Sequence, residues 1–513
     1  MAALVLSLSV LLYCFWTLIC LERNVRKARS MGVPVVRVPF SADSYIWVIL
    51  QPLVWASLAF CATSKEWGSY PDFIRFSHRN WHFLEKDCPN VRFGSAWAIA
   101  SPGGVSLHVA DAKGSVEVFS RWKDFVRPTY KYTTAVHESS SSNDGDAQVG
   151  SREKTTAAYR DTLHVVLDNA ILLMLVPYRY LNKPLMPRGL ARVGRAASSF
   201  KSMMMEMIAE ETAALVHDAV TRNGLLSPLV RAATRQPTAP DQHDNTDSNS
   251  SRDKKGGLSA EEILGDVFTI NFAGHDTVLI ALTFALTLLA AHPRVQAWVH
   301  EEIVMVLGER DNTQRDDDGD MDWDYKTMFP RLRRCQAVLL ETLRLYAPIT
   351  GVPKVRAHSA QGTSLVIEDR LIPIPAGTEI FPALLGMQTD ARHWSPQPHE
   401  WRPSRWIIHP LPGMAATREE EEEQLLEPLR GTFFPWSDGP MNCVGKKFSM
   451  VESVAVLARL LHRHVLQVER EDESETEAQM RRRVQDCVND VNFNVLLRMT
   501  HPERIRLRCL RRD

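Results

Sequence analysis

Apolar residues cluster unevenly along the 513-residue chain. Residues Ala2–Leu21, "AALVLSLSVLLYCFWTLICL", carry no charge. At about 1.5 Å per residue the run predicts a helix of roughly 30 Å, the thickness of a bilayer core. A cleaved signal peptide would want a basic start, a shorter apolar run and a small-residue cleavage site, and none is clear. Arg23, Arg26, Lys27 and Arg29 follow, against one acid, Glu22. Positive charge behind the run keeps the rest of the chain in the cytosol. A hinge is expected at "GVPVVRVP", Gly32–Pro39. A second uncharged run, Tyr45–Ala62, contains Gln51 and Pro52. Its expected place is on the membrane or packed against the domain, with a second span as the alternative.

Farther on, alternating apolar residues around Pro102-Gly103-Gly104 predict a hairpin within Ala96–Asp111. Glu138–Ser151 reads as loop. Helical periodicity runs from Thr155 to Val220, interrupted near Pro177, Pro184 and Pro187. Residues 234–257 have almost no apolar content and predict a disordered insertion. Ser259 and Glu262 then form a capping box for a helix reaching His292, before Pro293. From Val278 to Ala291 this helix is apolar on nearly every face, so burial is expected. A second helix is predicted from about Pro330 to Ala347, before Pro348. Short strands are expected over 365–382. Acidic loops at Asp316–Asp320 and Glu419–Glu423 and the basic end "RIRLRCLRR" read as solvated surface.

Composition changes this picture little. Hydrophobic content is 45%, charged content 24% and net charge −1. That balance is ordinary for a globular protein and gives no bias toward nucleic acid. The eight cysteines are scattered without a C-x-x-C pair. A disulfide framework or structural zinc is therefore not expected, and a reducing compartment fits.

Three stretches break local rules. "AGHDT", Ala273–Thr277, puts a glycine and an ionisable Asp276 inside an apolar helix, where glycine costs roughly 1 kcal/mol and the acid needs a partner or water. "ETLR", Glu341–Arg344, places opposite charges three apart on one helix face among leucines, which favours a buried structural pair. "FFPWSDGPMNCVGKKFS", 433–449, holds one cysteine, Cys443, in a loop of glycines and prolines before a helix. Backbone N–H groups there can stabilise a thiolate. A lone thiolate outside zinc or disulfide chemistry suits haem iron. A helix crossing, a surface ion pair and a small buried hydrophobe are the respective alternatives: the first is favoured if its stretch stood alone, the second holds for most E-x-x-R matches, and the third holds for a random cysteine.

In this order and spacing the three stretches resemble the cytochrome P-450 superfamily, especially its membrane-bound fungal enzymes of secondary metabolism. The resemblance covers the anchor, the hinge and nearly everything from Ser259 to about Val468. Trp436, Gly439, Cys443 and Gly445 match the family's haem loop, and Ala273, Gly274, Asp276 and Thr277 its distal-helix motif. Glu341 and Arg344 match its E-x-x-R motif. Pro403–Trp406 match a later motif that would bring Arg405 to that pair. The implied fold is mainly α with small β-sheets, the cytochrome P-450 fold, behind an N-terminal transmembrane helix. The implied organisation is an anchor at 1–22, a hinge with the second apolar segment at 23–64, and a haem-thiolate catalytic domain at 65–513. Location is expected at the endoplasmic reticulum membrane, with a single-pass anchor and a cytosolic domain.

The resemblance implies a monooxygenase that places one oxygen atom from O2 in a lipophilic small molecule. The cofactor would be haem b, an iron-protoporphyrin with Cys443 as axial ligand. Gly274 would let the distal helix come close, Asp276 and Thr277 would organise proton delivery, and His275 would turn from the iron. Electrons would come from an NADPH-dependent flavoprotein reductase, because no G-x-G-x-x-G unit follows a strand here. Two departures matter. Met441 replaces the arginine that pairs with a haem propionate in the family, and Lys354 offers one other cation. The family's W-x-x-x-R helix has no match: Trp122 and Arg127 have the wrong spacing, and on the order of a hundred residues of the usual fold are missing between Tyr132 and Tyr159. Such a loss would expose apolar surface. Two readings compete with the monooxygenase: a truncated or degenerate chain that binds haem weakly or not at all, and a haem-thiolate isomerase or dehydratase.

Overall fold

The computed structural model describes residues 2–41, 44–61, 67–128, 259–308, 325–357, 362–409, 423–493 and 496–512, with parts of 161–234. The expected loop at 138–151, residues 235–257 of the expected insertion and the acidic loop at 316–320 lie outside the described residues, while Thr234 ends the helix Leu226–Thr234. The chain divides into two compact units, Met1–Arg127 with Asp276–Asp513, and Pro128–His275.

The larger unit is helical, with small sheets. Its main sheet has six strands in the order β1-β2-β3-β8-β5-β4. Here β1 is Val35–Arg37, β2 Ala96–Ser101, β3 Gly104–Val109, β4 Phe125–Val126, β5 Lys354–Arg356 and β8 Glu379–Pro382. The expected hairpin is β2–β3, in antiparallel register with Ala98 opposite Leu107. A smaller hairpin joins β6 (Ser364–Ile367) to β7 (Arg370–Pro373). Three other two-stranded pairs are β9 (Ile407–Ile408) with β10 (Gln424–Leu425), β11 (His464–Val468) with β14 (Leu507–Arg511), and β12 (Val491–Phe493) with β13 (Leu497–Met499). The basic C-terminal stretch is therefore a strand, and all five residues of β14 are exposed.

The first helix, Ala2–Arg29, is longer than the apolar run. Leu21, Val25 and Ala28 bury against Ala98, Ala100, Leu107 and Ile380 of the sheet. Gly32–Pro39 is not a free hinge: β1 lies parallel to β2, and Val33, Val36 and Val38 are buried. Val36 and Val38, two apart, bury one side of the strand with Phe76, Trp81 and Trp97, while Val33 packs with the first helix and the sheet. The second apolar run forms the helix Tyr45–Cys61, with Pro52 inside it. It packs through Trp47, whose indole N–H donates to Ser77 O (2.8 Å), while Leu50 and Leu53 face outward.

The core joins the C-terminal half of the long helix, Ala260–Ala291, to the helices Pro293–Gly308, Arg333–Leu345 and Lys446–Arg463. Ser259 caps the long helix through the expected box: Ser259 N donates to Glu262 Oε2 (2.8 Å) and Glu262 N donates to Ser259 Oγ (3.2 Å). Ile280, Phe284, Leu288 and Leu289 are buried, as their all-round apolar pattern requires. The second helix begins at Arg333 rather than Pro330. Its cap comes from another helix: Glu302 accepts from Arg334 N (2.7 Å) and Cys335 N (3.2 Å). The smaller unit, described by itself, packs Phe200 and Met204 of the helix Arg188–Val216 with Leu163 and Val166.

Candidate active site

Cys443 lies in a loop that its own backbone fixes. Ser437 and Gly439 take left-handed φ angles of 64° and 73°. A Cβ at Gly439 would stand 2.5 Å from Phe119 O, so only glycine fits there. Cys443 N donates to Trp436 O (2.9 Å), and the Trp436 indole N–H donates to Ser449 Oγ (3.0 Å). Asp438 accepts from Gly439 N (2.6 Å) and from Arg430 Nε (2.9 Å). Burial works to raise the Asp438 carboxyl, but these two donors overcome it and hold it low. The helix Lys446–Arg463 starts three residues after the cysteine, and a Cβ on Gly445 would sit 3.8 Å from Cys443 Sγ.

The thiol is exposed. Around it Val444 is 93% and Phe448 71% exposed, although both are apolar. A loop this well fixed, with apolar side chains turned outward, presents a face made to be covered.

Two cations gather beside it. Arg127 Nη2 donates to Met441 O (3.0 Å). Lys354 on β5 is 2% exposed, with its ammonium 5.8 Å from the centre of the Phe119 ring. Phe119 also packs edge-on against Phe434, so Lys354 and the cysteine loop share one support. Burial, and then the Arg127 charge, push the Lys354 ammonium below its ordinary range. Among the described residues neither cation has a carboxylate partner. Spacing along the sequence set Arg127 aside, yet the structure brings it to the backbone of the residue that replaces the missing arginine. The signal lay in β4, whose pairing with β5 puts Phe125-Val126 opposite Arg356 and Val355.

Glu341, Arg344 and Arg405 come together in the interior. Arg344 Nε donates to Glu341 Oε2 (2.8 Å) and Arg405 Nε to Glu341 Oε1 (2.8 Å). Trp406 Nε1 donates to Glu341 Oε2 (2.9 Å), a contact not read from the sequence. Arg344 also donates to the carbonyls of Gln388 (2.7 Å) and Pro398 (2.6 Å). The cluster ties the helix Arg333–Leu345 to the segment leading into the cysteine loop.

On the long helix, Asp276 and Thr277 are half-buried and Ala273, Gly274 and His275 exposed. A Cβ added to Gly274 would meet nothing within 4 Å. Arg498 on β13 donates to Asp276 Oδ2 (2.5 Å), a partner no sequence motif indicated.

The sequence profile of cytochrome P-450 matches residues 142–485. This chain belongs to the cytochrome P-450 family. A cytochrome P-450 monooxygenase of Arthrobotrys oligospora is 24% identical, with 87% of this chain and 88% of that protein covered. The cytochrome P-450 monooxygenase of the phomenoic acid biosynthesis cluster of Leptosphaeria maculans is 28% identical over 61% of this chain and 52% of its own. A solved zebrafish cytochrome P-450 with abiraterone covers 84% of this chain and 100% of its own, at 15% identity and a TM-score of 0.49. The family sequence match carries the P-450 fold, mainly α with small sheets, and the oxidoreductase class. For the Arthrobotrys enzyme the alignment spans 538 positions, and 87% of 513 residues is about 446. About 92 aligned positions thus have no residue in this P-450.

Proposed function

We propose that this chain is a haem-thiolate monooxygenase that inserts one oxygen atom from O2 into a lipophilic small molecule in secondary metabolite biosynthesis. One observation carries the reading: an exposed thiol in a fixed loop stands beside a buried lysine and an arginine that have no carboxylate partner among the described residues. Haem fits this donor set, because it brings an iron for a thiolate and carboxylates for two cations. Cys443 would be the axial ligand, and Trp436, Gly439 and Gly445 would shape the loop beneath it. Arg127 and Lys354 would take the propionates in place of the arginine that Met441 removes. Bound haem would supply oxygen activation, and thiolate ligation favours O–O cleavage.

The other residues have supporting roles. The Asp276 carboxylate, held by Arg498, and the Thr277 hydroxyl would hold and pass protons. Their presence in one motif favours oxygen chemistry over isomerisation or dehydration. Ala273 and Gly274 would leave room on the distal helix. Glu341, Arg344 and Arg405 would keep the cysteine loop in place. Electrons would arrive from an NADPH-dependent flavoprotein reductase, and the N-terminal apolar helix would anchor the enzyme at the endoplasmic reticulum membrane. The phomenoic acid relative supports secondary metabolism as the setting.

A degenerate chain is the second reading, favoured by the residues absent against the Arthrobotrys enzyme and by the exposure of Val444 and Phe448. The reduced, carbon monoxide difference spectrum of the purified full chain separates the two. The monooxygenase reading expects a Soret band at the thiolate-ligated position that Cys443→Ala abolishes. Failure to take up haem supports the degenerate chain, and an unchanged band in Cys443→Ala removes the ligand assignment.

A further inference from the structure

The turn 374–378 joins β7 to β8, and its backbone is fixed. Gly377 takes a left-handed φ of 66°. Thr378 N donates to Pro375 O (3.2 Å), and Arg356 N donates to Thr378 O (3.2 Å). Two cations from distant parts of the chain meet on this turn. Lys27 of the first helix donates from Nζ to Ala376 O (2.7 Å), and Arg356 of β5 donates from Nη1 to Ile374 O (2.8 Å). The accepting carbonyls belong to residues two apart, so the two charged heads lie together. Arg23 stands four residues before Lys27 and shares its helix face. The charges that bear on Lys27 are those of Arg23 and Arg356, both positive. Glu22, the acid at this end of the helix, is already paired with Arg37.

Orientation in a membrane asks only that positive residues follow the apolar run. It does not ask that one of them reach a turn 349 residues away. Gathering like charges costs energy unless an anion stands among them. The place is open to solvent: Arg23, Ala376 and Gly377 are exposed, and Lys27 and Arg356 are half-buried. Lys27 has two further N–H groups to donate, and Arg23 has no hydrogen-bond partner among the described residues. Its depth also fits. Arg23 and Lys27 stand about 3 Å and about 9 Å along the helix beyond Leu21, where the uncharged run ends. Helical side chains lean toward the N-terminus, here back toward a bilayer. Both charges therefore reach the polar headgroup layer, which is roughly 5–8 Å thick on each side.

We propose that Arg23, Lys27 and Arg356 bind the phosphomonoester headgroup of an anionic membrane lipid against the turn 374–378. A phosphomonoester carries a charge of about −1.5 to −2 at pH 7 and oxygens that accept from lysine and arginine. A choline headgroup brings a cation that these three repel. Basic residues just past an apolar helix recognise anionic lipids in this way, and Arg356 adds a fixed point on the domain. The lipid source rests on the reading of the N-terminal helix as an anchor. The phosphate site itself needs neither that reading nor haem.

The test uses the full chain in nonionic detergent micelles, with empty micelles as the partition baseline. Phosphorus NMR follows titration with dihexanoyl phosphatidic acid, glycerol 3-phosphate and dihexanoyl phosphatidylcholine. Saturable binding of the phosphatidic acid is expected, with glycerol 3-phosphate at least about tenfold weaker and the choline lipid not saturable. Lys27→Gln, Arg23→Gln and Arg356→Gln should each weaken the phosphatidic acid about tenfold or more, as for one lost charged hydrogen bond. Arg29→Gln removes an exposed charge from the far side of the same helix and should change little. A thermal midpoint equal to that of the parent chain shows that a variant folds, and the exposed Arg23 carries the test if Arg356→Gln does not. No saturable binding of either phosphomonoester, equal binding of the choline lipid, or unchanged affinity in Lys27→Gln and Arg23→Gln would overturn the site. So would an equal loss in Arg29→Gln, the mark of a diffuse charge effect. Equal affinity for phosphatidic acid and glycerol 3-phosphate would keep a phosphate site and overturn its lipid source.

Discussion

Glu341 is fully buried, and its carboxylate accepts from Arg344 Nε and Nη2, Arg405 Nε, Arg402 N and Trp406 Nε1. Glu341→Gln removes the charge between two buried guanidiniums, and breaking one side of a buried pair costs about 3–5 kcal/mol. That is a large share of a typical stability of about 5–15 kcal/mol, so the variant should lose most of its folded yield. A urea midpoint like that of the parent chain would contradict this. The pair itself is legible at a spacing of three, and Arg405 through its motif. Trp406 Nε1 is not, because its bond depends on how the chain returns 65 residues later. Lys354 supports a prediction of two opposite signs. As a buried cation with no carboxylate partner among the described residues it opposes folding, so Lys354→Met should raise the thermal midpoint of the haem-free chain. With haem present it would lose a charged hydrogen bond of about 1.5–3 kcal/mol, roughly a 10- to 150-fold faster transfer of haem to apomyoglobin. A rate of haem transfer left unchanged or slowed by Lys354→Met would remove Lys354 from the propionate site.

Among the elements, strand β3 carries the clearest pH dependence. His108 lies between Trp97 of β2 (ring centroids 4.3 Å, 15°) and Phe381 of β8 (5.2 Å, 19°). Burial, and then the neighbouring His82, hold His108 well below its ordinary range. The folded sheet therefore keeps it neutral, while the unfolded chain takes up a proton as pH falls below about 6.5. The unfolded state binds more protons in that range, so stability must fall with acidification from about pH 6.5 downward. His108→Phe keeps a ring in the stack and should flatten this slope between pH 7 and 5. Urea midpoints with the same slope in both chains would show that His108 is not the titrating group. The β2–β3 hairpin was legible because its alternation is local. Strand β1 was not, because its pairing with β2 joins residues about sixty apart through only three positions. The same limit moved the start of the helix Arg333–Leu345, whose capping carboxylate comes from Glu302 on another helix.

At the scale of the whole molecule, the first helix has two kinds of surface. Leu8, Leu11, Leu12, Phe15, Trp16 and Ile19 are exposed, whereas Leu21, Val25 and Ala28 are buried against the sheet. The apolar run showed where a membrane would be met, but not where the helix turns to the domain, since leucine suits both. From Ala2 to Cys20 the helix rises about 28 Å, enough for a thin bilayer core. The boundary of the proposed anchor then falls near Cys20, and a soluble form should begin at Leu21. A form beginning at Phe40 instead discards Leu21, Val25, Ala28, Met31, Val33, Val36 and the β1–β2 pairing. Each larger apolar side chain lost is worth about 1.5–3 kcal/mol, so the sum rivals the whole stability of a domain. The chain from Leu21 should be monodisperse with a cooperative melt, and the chain from Phe40 should aggregate. Equal melting of the two would mean that the second half of this helix does not belong to the domain.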